Sequence, residues 1–397
     1  MTKSERVSTT GATLRAARLE LGWTQTRAIL ALVQQAERDG IPVADRTSLK
    51  TMFSRWENGK RQPDPVYQRL LCRIYGRDED ELGFTQEPLK AASALRVAPA
   101  VSDTTVEYFR NVFREHVKAD NLMGPHHLVD VVRAQVALLD QVIPAAQGRH
   151  RRKLLHLAYQ YTEFTGWLYQ DAGLPDSAMT FTDRAMDYAL ELDDPLDCAY
   201  VLMRKSNIAC DLGKPDRAIG LTKAAYRNAR GLSPRVRSLI LVQQGRAHAV
   251  LGNADDHDRV IDQALNEVTR PATSSYSAAA YCNESYVAME AAASLTALGR
   301  YHEAIPVFER SLRQWPEHLR RDKGLCLARL ANAYAAAEDI DNAAATGRAA
   351  LDVVHAATSG RALMELMRLR RHLAPRRRDA QVSDLCEHVQ ALTSAAR

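Results

Sequence analysis

The sequence has little that suits a membrane protein or a secreted protein. Its 397 residues contain no uninterrupted apolar run of about 18 residues, the length that a transmembrane helix needs. The first residues, MTKSERVSTTGATLR, lack the hydrophobic segment of a signal peptide. We therefore expect a cytoplasmic protein without a membrane partner.

Cysteine and aromatic residues are also scarce. The six cysteines are scattered and form no Cys-x-x-Cys pair, which is typical of buried small residues in a reducing compartment rather than of a disulfide framework. Aromatic residues make up 6% of the chain while alanine is abundant, and this composition favours helices. The length predicts two or more domains.

Motifs for catalysis and for metal or nucleotide binding are missing as well. The chain has no glycine-rich phosphate loop, no Gly-x-Ser-x-Gly elbow and no Cys/His spacing typical of a metal site. His126 and His127 are adjacent, so on a helix they point about 100° apart and cannot chelate a metal jointly. We predict neither enzymatic activity nor a cofactor or metal.

A basic helix with a clear stop signal lies within residues 45–63. Its apolar residues follow the i, i+3, i+4, i+7 spacing of a helix packed on a core: Leu49, Met52, Phe53 and Trp56. At about 100° per residue, short donors and cations occupy the other face: Thr47, Lys50, Thr51 and Ser54, with Arg55 at its edge. Gly59 supplies the left-handed residue that ends such a helix, and Lys60 and Arg61 follow it.

The positive charge of the chain is concentrated around this helix. Residues 45–77 hold eight cations against three anions, a net charge of +5 that equals the net charge of the whole chain. Clustering of this kind is expected where a protein binds phosphates. A second cluster, residues 361–378, holds seven arginines and one glutamate, and we interpret it as a solvated helix face and loop.

The segments LRAARLELGWTQ (residues 14–25) and SRWENGKRQPD (residues 54–64) resemble the XRE-type, lambda-repressor-like helix-turn-helix domain of bacterial regulators. The resemblance covers residues 11–84. It implies four or five helices, with the third helix in the major groove and the start of the second on a phosphate. The residues that would contact double-stranded DNA are Thr24, Gln25, Arg46, Thr47, Lys50, Thr51, Ser54, Arg55, Lys60 and Arg61.

The connection between the second and third helices departs from that pattern. Where the family has a short turn, this chain has ILALVQQAERDGIPVADRTS, which predicts an extended second helix and a loop containing Gly40 and Pro42. We place the start of the first helix after Gly11 and a cap for the second at Thr24. The alternative for this domain is a helical bundle that does not bind DNA.

We divide the chain into a helix-turn-helix domain at residues 1–84, a linker at 85–101, and a helical repeat domain at 102–397 that mediates sensing, interaction and dimerisation. The linker has two prolines and no stable period. In the third part, Asp103 is a candidate cap for a helix that buries Val106, Phe109, Phe113 and Val117.

A repeat follows, marked by a small residue, a turn residue seven positions later, and small residues five and twelve positions after the turn. The markers are Gly166, Gly173, Ala178 and Ala185; Ser206, Gly213, Ala218 and Ala225; Gly245, Gly252 and Ala264; Ala292, Gly299, Ala304 and Ser311; and Ala331, Glu338, Ala343 and Ala350. The third unit has His257 where alanine is expected. The pattern resembles the tetratricopeptide repeat (TPR) with longer inter-repeat loops.

The expected fold is therefore all-α, an N-terminal helix-turn-helix bundle followed by a TPR-like α-solenoid. At least five units stack between about Leu157 and Ala350, and a terminal pair after Gly360 acts as a cap. The alternative is an all-helical bundle of another kind.

Transferring the groove positions of the TPR family gives the residues that the resemblance implies for an effector on the concave face. They are Trp167, Gln170, Tyr200, Met203, Asn207, Asp211, Arg246, Tyr286, Met289 and Asn332. Asparagine can clamp a peptide backbone with a donor and an acceptor, and tyrosine and methionine offer adaptable apolar contact. The alternative is that each residue only packs between repeats or faces solvent.

By architecture the chain resembles bacterial regulators in which an XRE-type head is fused to tetratricopeptide repeats, several of which respond to short signalling peptides. The resemblance implies a homodimeric, sequence-specific transcriptional regulator whose repeats bind a peptide or small-molecule effector. Two alternatives remain. One is a DNA-bound adaptor whose repeats dock another protein without a small effector, and the other is a scaffold whose head is only structural.

Overall fold

A computed structural model describes residues 3–39, 41, 43–78, 81–84, 101–227, 231–271, 277–317, 319–356 and 359–395. The chain divides into two compact units, Met1–Val97 and Ala98–Arg397. The regular structure of the described residues is helical throughout, without strands, which confirms the predicted all-α class. Nearly all of the proposed linker, as well as Gly40 and Pro42, lies outside the described residues.

The described residues of the first unit form four helices, α1 (Lys3–Glu20), α2 (Gln25–Asp39), α3 (Arg46–Glu57) and α4 (Pro65–Tyr75). Each contributes apolar side chains to one buried core, which includes Leu14, Leu32, Leu49, Phe53, Leu70 and Leu71. We call this unit the head. Helix α2 ends at Asp39 and α3 begins at Arg46, so six residues separate the two helices.

Helix α1 begins earlier than the sequence suggested, because Gly11 lies inside the helix rather than before it. A Cβ on Gly11 would lie 2.6 Å from the Gly59 amide nitrogen and 2.7 Å from the Trp56 carbonyl oxygen. Gly11 is therefore the point at which α1 approaches the end of α3 closely. The glycine serves this contact and not a helix start, which corrects our placement.

Both ends of α3 have specific signals. The Asp45 carboxylate accepts hydrogen bonds from the amides of Thr47 at 2.9 Å and Ser48 at 3.0 Å, so Asp45 caps the helix. At the other end Gly59 has φ +60°, the left-handed conformation predicted for it. The helix thus occupies the segment that the apolar spacing indicated.

The second unit contains fourteen described α-helices, and we call it the array. They are α5 (Asp103–Met123), α6 (Val129–Val142), α7 (Gly148–Asp171), α8 (Pro175–Glu191), α9 (Pro195–Asp211), α10 (Pro215–Tyr226), α11 (Pro234–Val250), α12 (Ala254–Val268), α13 (Glu284–Ala297), α14 (Tyr301–Arg313), α15 (Arg320–Ala336), α16 (Ile340–Ala356), α17 (Gly360–Leu373) and α18 (Ala380–Ala395). From α7 onward they pack as six consecutive pairs.

The repeat markers occupy equivalent places in five of these pairs. The turn between the two helices is left-handed each time, with φ values of 79°, 68°, 76°, 77° and 63° at Gly173, Gly213, Gly252, Gly299 and Glu338. The small residues that flank these turns are buried where the helices cross. The TPR-like α-solenoid is therefore confirmed.

The degenerate third pair buries a histidine between its two helices. His257 is 1% exposed at a position where alanine was expected. Opposite it, a Cβ on Gly245 would lie 2.7 Å from Ile261 Cδ1 and 3.8 Å from His257 Cδ2. Gly245 on α11 is thus required by the close approach of Ile261, while His257 packs beside it at an ordinary contact distance.

The start of the array differs from our expectation in two details. Ser102, not Asp103, caps α5, because its hydroxyl accepts the Thr105 amide and the Thr105 hydroxyl accepts the Ser102 amide. Val117 is 37% exposed, so it does not belong to the buried stripe of α5. The pairs also begin earlier, with α7 starting at Gly148 rather than near Leu157.

The first helix of each pair is the more deeply buried one. Helices α7, α9, α11 and α15 each bury ten or more residues, whereas their partners α8, α10, α12 and α16 bury six or fewer. We call α7, α9, α11, α13, α15 and α17 the inner helices. None of the six cysteines is in a disulfide bond. None of the described helices combines the length and apolar character needed to span a bilayer.

Candidate functional site

The outer face of α3 carries most of the side chains assigned to DNA. Leu49, Phe53 and Trp56 are buried on the opposite side, which fixes the orientation of the helix. The assigned residues of the outer face are all exposed: Arg46, Thr47, Lys50, Thr51, Ser54 and Arg55. Lys60 and Arg61, directly after the helix, are also exposed. We call these eight residues the polar face of the head.

Thr24 and Gln25 lie at the start of α2. The Thr24 hydroxyl accepts a hydrogen bond from the Arg27 amide at 3.2 Å, so Thr24 caps the helix. Gln25 is half-buried, and its Nε2 donates to Glu57 Oε2 at 2.8 Å. The Gln25 amide is therefore engaged inside the head instead of being directed only to solvent.

A buried ion pair holds α3 against α1. Arg18 Nε donates to Glu57 Oε1 at 2.5 Å and Arg18 Nη2 to Glu57 Oε2 at 2.9 Å, with Gln25 on the same carboxylate. Arg18 also donates to the Trp23 carbonyl oxygen at 2.6 Å. This network was not predicted from the sequence. The sequence feature that could have indicated it is the charged residue Glu57, which directly follows Trp56 of the apolar stripe of α3.

The cations of the polar face have no carboxylate partner among the described residues. In the described part of the head, Arg18 pairs with Glu57 and Arg77 with Glu20, and no carboxylate pairs with Arg46, Lys50, Arg55, Lys60 or Arg61. Asp45, the nearest acidic residue at the start of α3, is occupied with Ser48, whose hydroxyl donates to it at 2.7 Å. The face therefore presents uncompensated positive charge on a helix fixed from behind.

The assigned polar residues of the array bond to one another. Gln170 Nε2 on α7 donates to Asn207 Oδ1 and, at 2.5 Å, to Asp211 Oδ2, both on α9. Asn207 Nδ2 donates to Gln243 Oε1 on α11 at 2.8 Å, and Arg246 Nη2 donates to Asp211 Oδ1 at 2.6 Å. These side chains form a polar seam across three inner helices, so the asparagine is already paired.

The assigned apolar residues lie in the core instead of on a groove surface. Met203 and Met289 are 1% and 0% exposed, and Tyr200 and Tyr286 are also buried. The Tyr200 hydroxyl donates to the Ala278 carbonyl oxygen at 3.0 Å. These side chains leave almost no surface for a ligand in this conformation, because neighbouring inner helices pack directly over them.

Asn332 on α15 is likewise directed to a neighbouring helix. Its Nδ2 donates to the carbonyl oxygens of Ala328 and Glu365, each at 3.0 Å. The residue is 7% exposed. The proposed clamp of Asn207 and Asn332 on a peptide backbone is therefore not what these amides do here, since each bridges two inner helices.

Trp167 is the assigned residue with the most unusual surroundings. Three guanidinium groups lie over its half-buried ring, with the Cζ atoms of Arg361, Arg204 and Arg321 at 4.4, 5.2 and 5.7 Å from the ring centroid. Its Nε1 donates to Asp120 Oδ2 at 3.3 Å. Cations over an indole face are attracted by its negative quadrupole.

Two arginines on the inner helices are each paired with a carboxylate. Arg204 Nε donates to Glu163 Oε1 at 3.0 Å, and Arg329 Nη1 donates to Glu290 Oε1 at 2.8 Å. Burial by itself would raise the pKa of Glu290, but Arg329 opposes it and holds the pKa below its usual value. For Glu163 burial prevails over Arg204, and its pKa is raised. The interior of the array is thus charged but internally compensated.

Some buried polar atoms of the interior have no hydrogen-bond partner among the described residues. They are Asp120 Oδ1, Gln170 Oε1, Arg204 Nη2 and Asn332 Oδ1. Leaving such groups unpaired costs free energy, about 1–3 kcal/mol for a neutral group. The interior therefore retains hydrogen-bonding capacity that the seam and the ion pairs do not use.

A cleft of about 540 Å³ lies elsewhere in the array, lined by residues of α12, α13 and α14. It contains none of the assigned effector residues. Its wall includes the buried His257, whose Nδ1 lies 2.9 Å from Asp258 Oδ1. Among the described residues, no group of three or more histidine, cysteine or acidic side chains is placed to hold a metal ion.

Comparison with known proteins gives no family for the chain, because no family model and no curated protein matches it. Of the solved structures, BtubC (BKLC) from P. vanneervenii is similar at 16% identity and a TM-score of 0.41, over 59% of this chain and 92% of that chain. The TPR domain of P58(IPK) is similar at 13% identity and a TM-score of 0.23, over 94% and 99% of the two chains.

A circular tandem repeat protein with a novel repeat topology is similar at 14% identity and a TM-score of 0.20, over 98% of this chain and 96% of that chain. Scores and identities this low carry no argument about function. The function must therefore be inferred from the side chains of the head and the array.

Proposed function

We propose that this protein is a sequence-specific DNA-binding regulator whose array binds a partner or an effector. The observation that carries the proposal is the polar face of the head, which presents three hydroxyl groups and five cations without a carboxylate partner among the described residues. Its helix is fixed from behind by the Arg18–Glu57 pair. Unpaired cations suit phosphates, and short donors on an exposed helix suit base edges.

The dimensions of the head fit this role. Helix α3 has twelve residues, about 18 Å at 1.5 Å per residue, and an α-helix enters the major groove of B-DNA. Lys50, Thr51, Ser54 and Arg55 lie on the outer face, while Lys60 and Arg61 follow the helix end, where a backbone phosphate would lie. Recognition by two heads of a homodimer would require half-sites about 34 Å apart or a multiple of that.

The test is selection of duplex DNA by the full-length protein from a random library at two salt concentrations. We expect an enriched, twofold-symmetric motif and an affinity that falls steeply with salt, because each neutralised phosphate releases counterions. Replacing Lys50, Thr51, Ser54 and Arg55 by alanine should abolish the preference for that motif over random duplex.

A matched control removes two exposed cations from the array, Arg376→Ala with Arg377→Ala. This variant loses the same net charge as the head variant, and we expect it to keep the motif preference. If the control lost the preference equally, net charge rather than the polar face would explain DNA binding. An absence of any salt-dependent binding by the unaltered protein would contradict the proposal.

A second candidate function is a protein-interaction scaffold, with or without DNA. It is favoured by the polar seam, because Gln170, Asn207 and Asp211 bond to one another and not to a groove. Flat salt dependence together with no selected motif would support this candidate. A motif selected in the absence of any peptide or small molecule would instead fit a DNA-bound adaptor.

A further inference from the structure

The array closes on itself at the end of its first inner helix. Asp171, the last residue of α7, is 0% exposed. Its Oδ1 accepts hydrogen bonds from Ser359 Oγ and Arg361 Nε, each at 3.0 Å, and its Oδ2 accepts one from Arg321 Nη2 at 2.6 Å. The first inner helix is thus joined to the last two, across as many as 190 residues of sequence.

Arg321 extends this contact to α5. Its Nη1 lies 2.5 Å from Asp120 Oδ2 and also donates to the Asp120 carbonyl oxygen at 3.1 Å. One arginine therefore ties together the C-terminal ends of α5 and α7. Burial alone would raise the pKa of Asp171, but Arg361 and Arg321 outweigh it and keep the pKa below its usual value, so the carboxylate is charged at neutral pH.

The backbones also meet at this point. A Cβ on Gly360 would collide with the Asp171 carbonyl oxygen. Beside it, a Cβ on Gly173 in the turn after α7 would lie 3.6 Å from Met364 Sδ on α17. The start of α17 is therefore seated on the end of α7 with no room for a side chain at residue 360.

The same arginine covers the ring of Trp167. Arg361 Cζ lies 4.4 Å from the ring centroid, while its Nη2 donates to Asp322 Oδ1 at 3.2 Å. The guanidinium is held from one side by two carboxylates and occupies the indole face from the other. A ligand that stacked on that face would have to displace Arg361.

We propose that Asp120, Asp171, Arg321, Ser359 and Arg361 form a latch that holds the array closed, and that this latch blocks access to Trp167 until it opens. The closed state excludes an aromatic or cationic group of a partner from the indole face. The first half of the proposal stands by itself, and the second half rests on the proposed binding role of the array.

The chemistry of the latch suits a contact that opens. Buried ion pairs gain little net free energy, because their Coulomb attraction is offset by the loss of hydration. Around Asp171 the contact consists of charged groups, one hydroxyl group and the close approach of Gly360 to the Asp171 carbonyl oxygen. The contacts that join successive pairs are instead rich in leucine and alanine. Loss of any one of the four charged members leaves a buried charge uncompensated, so the latch opens as a unit.

The test is hydrogen exchange of the full-length protein, followed by mass spectrometry, for Arg361→Gln. We expect exchange to rise by at least about tenfold at residues 168–173 and 359–364, while α11 and α12 keep their protection. The matched control is Arg300→Gln, which removes an arginine that also bridges two carboxylates, Asp258 and Glu303, away from the latch. It should leave both latch segments unchanged.

A second variant opens the latch without removing a charge. Gly360→Ala places a methyl group against the Asp171 carbonyl oxygen, and we expect the same local rise in exchange. The same rise in both variants supports the latch. Unchanged exchange at the two segments, or a uniform rise over all six pairs in both variants, overturns it.

Exposure of Trp167 tests the second half. The fluorescence of Trp167 is the difference between a protein that has this tryptophan and the same protein with Trp167→Phe. We expect acrylamide to quench about twice as much of this fluorescence in Gly360→Ala as in the unaltered protein. No increase would overturn the claim that the latch blocks the indole face. Because neither measurement needs DNA or a partner, a failure of the proposed regulatory function would not change either outcome.

Discussion

The polar face of the head and the interior of the array both hold many charged groups, but the environments of these groups are opposite. On the polar face, cations are exposed and lack a carboxylate partner among the described residues. In the interior, Arg204, Arg246 and Arg329 are each paired with a carboxylate on an adjacent inner helix. A charge in water is stable alone, whereas a buried charge needs a partner.

This difference separates charges that serve an external partner from charges that hold the fold. Exposed, unpaired charges add little to stability and remain available to an external anion. Buried pairs specify which helices lie next to one another, since a wrong neighbour would leave a charge uncompensated. Substitutions on the polar face should therefore change DNA binding, whereas substitutions in the interior should change the stability of the fold.

The largest effect is expected for Glu290→Ala in the array. The change leaves Arg329 buried without its carboxylate, and breaking a buried pair in this way costs about 3–5 kcal/mol of unfolding free energy. Urea unfolding of the full chain, followed by circular dichroism, measures the loss. Glu303→Ala is the control, because this carboxylate is exposed, and its midpoint should stay close to that of the unaltered protein. Equal effects of the two changes would contradict the contrast drawn here.

The second-largest effect is expected for Glu57→Gln, which tests the buried Arg18–Glu57 pair of the head. The amide cannot accept the two charge-assisted hydrogen bonds from Arg18, so we expect a loss of about 1.5–3 kcal/mol. Hydrogen exchange in α1 and α3 should rise while α9 and α11 keep their protection. Glu20→Gln removes the exposed partner of Arg77 and serves as the control. If α3 kept its protection from hydrogen exchange in Glu57→Gln, apolar packing alone would be enough to hold the helix that carries the polar face.

Acid should affect the array through its paired carboxylates. Interactions with arginine hold the pKa values of Asp171, Asp211 and Glu290 below their usual range, against the effect of burial. Their contribution to stability is present above about pH 4, where the unfolded carboxyls lose their protons, and is lost as the pH falls through the lower folded values.

The measurement is thermal unfolding at pH 5, 4 and 3, with a midpoint that decreases toward pH 3. The raised pKa of Glu163 acts in the opposite direction at higher pH, because the folded form of that group favours the proton. The decrease should therefore be confined to the range below about pH 4. A midpoint that is flat between pH 5 and pH 3 would show that the pairs of the interior contribute no net stability.

The smallest effect on stability is expected for Lys50→Ala on the polar face. The side chain is exposed and unpaired, so the unfolding midpoint should not change. If Lys50 contacts a phosphate, the slope of log affinity for DNA against log salt should become shallower by about one. Arg376→Ala in the array is the control for the slope. A destabilised protein with an unchanged slope would reverse the roles assigned to the two regions.

Local sequence signals were sufficient for much of the head. The spacing of Leu49, Phe53 and Trp56 gave the buried side of α3, and Gly59 gave its end, because both depend only on residues within one or two turns. Gly11 was misplaced because a glycine that permits close approach of two helices has the same local appearance as one before a helix. The pairing of Arg18 with Glu57 was missed because it joins residues 39 positions apart.

The array shows the same limit more strongly. The repeat markers predicted the helix pairs and the turns within them, since each pair repeats the same local geometry. They included the turn at Glu338, which the structure shows to be left-handed. The assignment of Met203, Met289 and Asn332 to a ligand surface assumed an open groove. The structure buries them, because the inner helices approach one another more closely than that assumption allows. No signal near these residues indicates how strongly the array curves.

The sequence by itself determined the all-α class, the repeat and the two faces of α3, because helical periodicity and turn residues act over a few positions. Only the tertiary structure decided which charges are paired and that Asp171 meets Arg361. The position of the sixth pair relative to the first is the sum of small rotations from pair to pair. A sum of that kind cannot be inferred from any one unit, and it decides whether the interior is open or closed.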